Sequence, residues 1–231
     1  MSEATPLDEQ PSATERLELA DWRRRISDLY AIVRAGAEND PEGAWGLWCS
    51  VREELFRAHP QSPVPAHDRA SFAARHWPYD PRLRFEAAVE PLPPGVRGAQ
   101  ADLPPGLGGL TLALPISTGG EEAFTRIGRV PIPFPAGGRD LGVYWMAGYA
   151  GGLFLPFRDT TNGTETYGAG RYLLDTAKSA DLGPGTTPDS LVLDFNFAFH
   201  PSCAFDPKWS CPLAPPENRL DIRIEAGERL T

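Results

Sequence analysis

The chain has 231 residues, which is enough for one large β-rich domain or for a domain with a helical appendage. Hydrophobic residues make up 41% and charged residues 23%, so a packed core is expected and disorder throughout the chain is excluded. The net charge of -9 argues against a nucleic-acid partner, because phosphates require an excess of basic residues. The one basic cluster, Arg23-Arg24-Arg25, is interpreted as a solvated helix face.

The N-terminal sequence predicts a protein that stays inside the cell. Met1 to Pro6 lack the basic start and the apolar run of a signal peptide. No apolar stretch approaches the roughly 20 residues that cross a bilayer, so we expect no membrane partner and a cytoplasmic location. An odd number of cysteines, 3, is consistent with that reducing compartment. Residues 1–13 are polar and predict a flexible tail.

Two amphipathic helices are predicted after this tail. The first lies within residues 14–40, with Thr14 as its cap and Gly36 as its end. The second begins at Asp40, is followed by a proline in the first helical position, and ends near His59. The first helix is predicted from apolar residues that recur three or four positions apart: Leu19, Trp22, Ile26, Leu29 and Val33.

The rest of the chain predicts antiparallel β structure. Its 23 Gly and 25 Pro favour short strands joined by loops. The predicted strands are 83–90, 110–114, 123–130, 141–146, 153–157, 164–174, 191–199 and 220–225. No helical period separates them, which favours a sandwich or a barrel, and we prefer a closed or nearly closed barrel. The predicted fold is mainly β, an antiparallel barrel or sandwich with two N-terminal helices packed against it, and residues 41–231 form a single domain.

Two local patterns are especially informative. Asn162-Gly163 lies between strand-like segments, and this pair favours the positive φ angles of a type I′ hairpin. Apolar residues alternate strictly over 191–199, which predicts a strand with one buried face. Asp194 and Asn196 would then lie on the opposite face.

The C-terminal third carries the residues that are best suited to chemistry. The sequence contains no phosphate-binding loop, dinucleotide-binding glycine pattern, nucleophile elbow or zinc-protease motif. Residues 200–220 form a Pro-rich excursion that mixes thiols, acids, amides and a guanidinium. Binding groups commonly lie on loops held by a rigid scaffold, so this loop is the first place to look for a site.

The thiols Cys203 and Cys211 leave several interpretations open. With His200 they could supply three metal ligands, and another histidine could supply a fourth, but the spacing matches no standard zinc pattern and we predict no metal. A local disulfide is a second possibility. The favoured interpretation is two thiols that pack the loop against the barrel. Cys203 as a nucleophile would need His200 as a neighbouring base. The candidate fourth ligands are His59, His67 and His76.

Four charged residues could share a pocket: Arg171, Asp159, Asp194 and Glu217. A buried arginine needs a carboxylate partner, so the favoured interpretation is an ion-pair network that braces the loop. The functional alternative is an arginine that grips an anionic small molecule beside a carboxylate that acts as acid or base.

Six segments of the chain together form an ordered series of motifs: Glu53 to Pro63, Pro156 to Asp159, Thr166 to Tyr172, Asp194 to Asn196, Cys203 to Phe205 and Cys211 to Leu220. This series resembles a family of bacterial and archaeal proteins, the domain of unknown function 1684. The resemblance spans roughly residues 44–229 and implies that the helix before Asp40 is an addition to the family's usual start. The family is uncharacterised, so the resemblance implies no catalytic residue.

The favoured function is a small-molecule-binding module for a polar or anionic ligand, with no bound cofactor. One alternative is a hydrolase or isomerase that uses a carboxylate or Cys203 of the C-terminal loop, and whether the chain is an enzyme stays open. A second alternative is a structural or interaction protein without a ligand site. The candidate ligand-binding residues are Asp159, Tyr167, Arg171, Asp194, Asn196, Cys203, Cys211, Glu217, Asn218 and Arg219.

Overall fold

The computed structural model describes residues 11–92, 110–146 and 151–230, so most of the predicted tail lies outside the described residues. Two helices, α1 (Ala13–Gly36) and α2 (Pro41–Ala58), precede the strands. The strands are β1 (Arg75–His76), β2 (Arg84–Ala88), β3 (Glu90–Pro91), β4 (Leu110–Pro115), β5 (Glu121–Phe134), β6 (Gly137–Met146), β7 (Gly152–Phe157), β8 (Arg171–Asp175), β9 (Ser190–Asp194) and β10 (Glu228–Arg229).

Both helices begin at side chains that cap their free backbone amides. In α1 the cap is Ser12, not Thr14 as predicted: the Glu15 amide donates to the Ser12 hydroxyl at 3.2 Å, and the Ser12 amide donates to the Glu15 carboxylate at 2.7 Å. This reciprocal pair satisfies two donors that Thr14 would leave free. In α2 the predicted cap is confirmed, since the Asp40 carboxylate accepts the Gly43 amide at 2.9 Å.

The helices pack on each other and on the β structure through one apolar cluster. Trp48 is fully buried in it and donates its indole N–H to the Tyr30 hydroxyl at 3.1 Å. The β region contributes Ala180 and Phe197 to the same cluster. The predicted packing of two N-terminal helices against a β body is therefore confirmed.

The β structure is antiparallel and open. The main sheet has six strands in the order β3-β5-β6-β7-β8, with β4 also paired to β5, and two further pairs join β2 to β9 and β1 to β10. The predicted mainly antiparallel β fold is confirmed, and a sandwich fits. The preference for a closed barrel was wrong for the described strands, because the order of the main sheet does not return from β8 to its first strand.

The segment around Asn162 is a hydrogen-bonded loop and not the predicted hairpin. Gly163 has a φ of 86°, but among the described residues Ser179 is the only non-glycine residue with positive φ, so Asn162 does not form a type I′ turn. The Asn162 side-chain amide donates to the Thr166 hydroxyl at 2.8 Å and to the Tyr167 carbonyl at 2.9 Å. These bonds fold the chain back, and β8 therefore begins at Arg171 and not at residue 164.

Two other predicted strands are shorter or missing. The strand predicted over 191–199 ends at Asp194. The Asp194 carboxylate accepts the Asn196 backbone amide at 3.0 Å, and a 3-10 turn, Phe195–Phe197, begins there. No strand forms at 220–225. The last strand of the described chain is instead Glu228–Arg229, which pairs with β1.

We predict that Trp48→Ala lowers the free energy of unfolding by about 3–5 kcal/mol, because it empties a fully buried site between the helices and the β body. The matched control is Leu47→Ala, one residue away and 41% exposed, which should lose less than about 1 kcal/mol. Urea unfolding followed by circular dichroism measures both. Equal losses would contradict the described helix packing.

Candidate functional site

Arg171 and Asp159 form a fully buried ion pair, with 3.5 Å between Nη2 and Oδ1. The guanidinium also donates to the backbone carbonyls of Ile224, at 2.9 Å, and of Ala226. The Asp159 carboxylate accepts the Ile224 amide at 2.7 Å. Arg171 and Asp159 therefore fix the C-terminal segment inside the protein, and their side chains have no exposed surface for a ligand.

Asp194 and Asn196 form a second, separate group. The Asp194 carboxylate pairs with Arg84 at 3.1 Å, accepts the Tyr79 hydroxyl at 3.2 Å, and accepts the Asn196 side-chain amide at 2.7 Å. Asn196 also exchanges two hydrogen bonds with the backbone of Asp80. Burial raises the pKa of Asp194, while the bonds from Asn196 and Arg84 oppose that shift. This group holds the loop before β2 against the end of β9.

Asn218 joins the neighbouring strands β6 and β7. Its side chain exchanges bonds with the backbone of Gly142 at 2.7 and 3.0 Å and donates to the Pro156 carbonyl at 2.7 Å. Glu217 beside it accepts the Tyr144 hydroxyl at 2.6 Å, and Arg219 is exposed. The four charged residues that the sequence grouped into one pocket thus divide into three sets.

Cys203 and Cys211 lie together in the C-terminal loop as free thiols. The Cys203 amide donates to the Cys211 sulfur at 3.3 Å, and both residues are 6% exposed. His200 lies in the same loop, where its Nε2 accepts the Tyr167 amide at 3.2 Å. Nε2 is therefore the unprotonated ring nitrogen, and its lone pair is already used.

A cavity lies elsewhere, between α1, α2, β8 with the turn that follows it, and the C-terminal loop, and we call it the helix–loop pocket. Its volume is about 290 Å³. Aromatic side chains from all of these elements form its walls. These residues lie far apart in the chain, so no sequence pattern groups them. They are Trp22, Tyr30, Phe56, Tyr172, Phe199 and Trp209.

Three cations line the helix–loop pocket: Arg23, Arg52 and Lys178. Arg23 and Lys178 are close enough for their charges to interact. No aspartate or glutamate is among the described residues that line this pocket. The interpretation of the arginine cluster as a solvated face is confirmed, because all three arginines are exposed. Arg24 and Arg25 pair with Asp21 at 3.2 and 2.7 Å, and Arg23 also lines the pocket.

Arg52 is held at the pocket by Glu228 of β10. Its Nε donates to Oε1 and its Nη2 to Oε2, the latter at 3.4 Å. The guanidinium carbon lies 4.4 Å from the ring centre of Phe56 and 5.0 Å from that of Phe199. No described residue accepts a hydrogen bond from the remaining nitrogen, Nη1, so this cation keeps a free donor.

His200 lines the helix–loop pocket, and Glu228, which does not line it, contacts both His200 and Arg52. The Glu228 carboxylate accepts the His200 amide at 2.6 Å and lies 3.8 Å from the imidazole Nδ1. Burial lowers the pKa of His200 to about 4, so the ring is neutral at pH 7. Burial alone would raise the pKa of Glu228, but the positive charge of Arg52 outweighs the effect of burial and lowers this pKa to about 2.

The described residues contain neither a metal-binding cluster nor a membrane-spanning helix. No group of three or more His, Cys, Asp or Glu side chains there is arranged to hold a metal ion. None of the described helices combines the length and the apolar character that a membrane span needs. The cytoplasmic location and the absence of a metal or nucleic-acid partner stay predictions.

The fold and the site define an open antiparallel β protein with a helical cover and a cationic, aromatic-walled pocket beneath it. The family described as "Protein of unknown function (DUF1684)" matches residues 72–229, so the chain belongs to this family. A solution NMR structure of an uncharacterised protein from Haloarcula marismortui is similar, with a TM-score of 0.56 and 28% identity over 84% of this chain and 96% of that chain. No curated protein matches the chain.

We predict that Arg171→Ala lowers the free energy of unfolding by about 3–5 kcal/mol, because it leaves the Asp159 carboxylate buried without its partner charge. The melting temperature should fall by several degrees. Arg139→Ala is the control, since it removes an exposed pair with Asp221 and should cost at most about 1 kcal/mol. An unchanged melting curve for Arg171→Ala would contradict the buried ion pair.

We predict that stability falls as the pH is lowered from 6.5 towards 4. The pKa of His200 is about 4 in the folded protein and 6.5 without burial, so the unfolded chain binds the proton more readily. The full contribution, up to about 3 kcal/mol, is therefore present above pH 6.5 and lost on acidification.

Urea unfolding at several pH values in this window, for the wild type and for His200→Asn, tests the prediction. The variant should show a smaller slope of stability against pH. Some slope should remain, because burial also lowers the pKa of His76. Equal slopes in the two proteins would show that His200 is not the buried neutral group described.

Proposed function

We propose that this protein binds a small, partly aromatic or apolar anion in the helix–loop pocket. The observation that carries the proposal is the charge of the lining: three cationic side chains and no described carboxylate, although Glu228 and Asp175 pair with Arg52 and Lys178 from outside the lining. The chain as a whole has a net charge of -9. A cation cluster in an acidic protein concentrates anions locally.

The aromatic walls support the apolar part of the ligand. Trp22 of α1 and Trp209 of the C-terminal loop are both partly exposed at the pocket, as is Phe199. Ligand pockets are typically apolar and aromatic with a few polar groups that fix orientation, which is the composition found here. Aromatic rings in the walls favour a flat ring or a short apolar chain in the ligand.

The size of the pocket limits the ligand to a small molecule. Its volume of about 290 Å³ lies at the lower end of the range of ligand pockets, about 300–1,000 Å³. Arg52 is fixed by Glu228 and by stacking on aromatic rings, so its free nitrogen is held in place before a ligand arrives. A preorganised cation loses little conformational entropy on binding.

In this proposal, most of the candidate residues from the sequence stabilise the structure around the pocket. Arg171, Asn196 and Asn218 are buried and bonded to protein groups, so they shape the body under the pocket and do not contact the ligand. Cys211 is the candidate that lines the helix–loop pocket itself. No specific observation favours the hydrolase, isomerase or interaction alternatives over ligand binding.

Isothermal titration with naphthoate and with its neutral isostere naphthamide tests the proposal. We expect naphthoate to bind one site per chain and the amide to bind at least about tenfold more weakly, the equivalent of about 1.4 kcal/mol for the charge. Equal binding of both would show that charge does not select the ligand. Binding of neither would overturn the pocket as a site for small aromatic anions.

The contribution of the lining cations is tested with Lys178→Ala, for which the chain offers a matched control. Lys178 is 62% exposed and pairs with Asp175 at 2.8 Å, while Arg129 is 49% exposed and pairs with Glu90 at 2.8 Å outside the pocket. We expect Lys178→Ala to weaken naphthoate binding several-fold and Arg129→Ala to leave it unchanged. The same loss in both variants would indicate a non-specific charge effect.

A further inference from the structure

The thiols of Cys203 and Cys211 are in contact within the C-terminal loop. The Cys203 backbone amide donates to the Cys211 sulfur at 3.3 Å, and the two thiols are themselves joined by a hydrogen bond. A disulfide requires this closeness, because the bond spans only two sulfurs and two Cβ atoms. The proposed binding of an anion does not depend on either thiol, although Cys211 lines the helix–loop pocket.

The backbone around Cys211 is anchored independently of Cys203. The Cys211 amide donates to the Ser117 hydroxyl at 3.0 Å, and the Ser117 amide donates to the Cys211 carbonyl at 2.9 Å. Cys203 lies in a separate 3-10 turn, Ser202–Ala204. The rest of the fold therefore holds both thiols in place, and a bond between them needs little movement of the chain.

The two thiols differ in acidity. A hydrogen bond from the Cys211 thiol is the main cause that lowers the pKa of Cys203 to about 6, and the hydroxyls of Ser117 and Tyr167 act in the same direction. The same contact raises the pKa of Cys211, although the bond from the Cys203 backbone amide to the Cys211 sulfur acts in the opposite direction. The pair thus combines a thiolate that can attack an oxidant with a protonated thiol that can resolve the product. Burial instead raises the pKa of the remaining thiol, Cys49, to about 12.

We propose that Cys203 and Cys211 are a peroxide-reactive dithiol that closes to a reversible intramolecular disulfide. The Cys203 thiolate attacks one oxygen of hydrogen peroxide, the O–O bond breaks, and the leaving hydroxide takes a proton to become water. The resulting sulfenic acid is attacked by the Cys211 sulfur, which forms the S–S bond and releases a second water. Two thiols are oxidised and one peroxide is reduced.

Burial restricts the oxidant to a small molecule. Both cysteines are 6% exposed, and the helix–loop pocket offers a route to the Cys211 side of the pair. Hydrogen peroxide is close to water in size, whereas glutathione disulfide is a large, charged peptide that must bring its own sulfur into contact with the thiolate. We therefore expect oxidation by hydrogen peroxide and little by glutathione disulfide.

The test uses the full chain, fully reduced and then treated with hydrogen peroxide. Remaining thiols are alkylated under denaturing conditions, and the intact mass is measured. We expect two thiols to be lost as one disulfide within the chain, Cys49 to stay alkylated, and dithiothreitol to restore all three. Peptide mapping should join Cys203 to Cys211.

Three variants separate the possible outcomes. Cys49→Ser is the control and should form the disulfide as the wild type does. Cys203→Ser should slow thiol oxidation at least about tenfold, because the thiolate is absent. Cys211→Ser should leave a sulfenic acid on Cys203 that dimedone traps. The proposal is overturned if all three thiols survive peroxide, if the disulfide includes Cys49, or if Cys203→Ser oxidises as fast as the wild type.

Discussion

The ion pair between Arg52 and Glu228 joins the helical cover to the β body. Arg52 belongs to α2 and Glu228 to β10, near the end of the chain, and both side chains are almost completely buried. Two charges in such a place must be paired, because each alone would be costly to remove from water. The carboxylate also accepts the backbone amide of His200, so the same group fixes the start of the C-terminal loop.

The helix–loop pocket follows from this arrangement. Arg52 supplies one of its cations, and Phe56 and Phe199 stack on the guanidinium and form part of its walls. The β body beneath is fixed separately, since Arg171 binds the carbonyls of the C-terminal segment just before Glu228. Two buried arginines therefore hold the same segment, one from β8 and one from α2.

Local patterns predicted much of the fold, and long-range contacts account for what they missed. The stripe through Ile26 and the cap at Asp40 are local signals, and both helices form as predicted. The alternation of apolar residues continues past Asp194 and therefore predicted too long a strand. The strand ends because the Asp194 carboxylate accepts the Asn196 backbone amide, and a hydrophobicity pattern carries no information about such a bond. The pocket was missed because its walls come from residues as distant as Trp22 and Trp209.

A double-mutant cycle on Arg52→Met and Glu228→Gln tests most directly whether this ion pair joins the two parts of the molecule. Urea unfolding of the wild type, both single variants and the double variant gives the coupling energy. We predict a favourable coupling of at least about 1.5 kcal/mol, with each single variant destabilised because it leaves the other charge buried and unpaired. Additive losses, with no coupling between the two positions, would contradict the account.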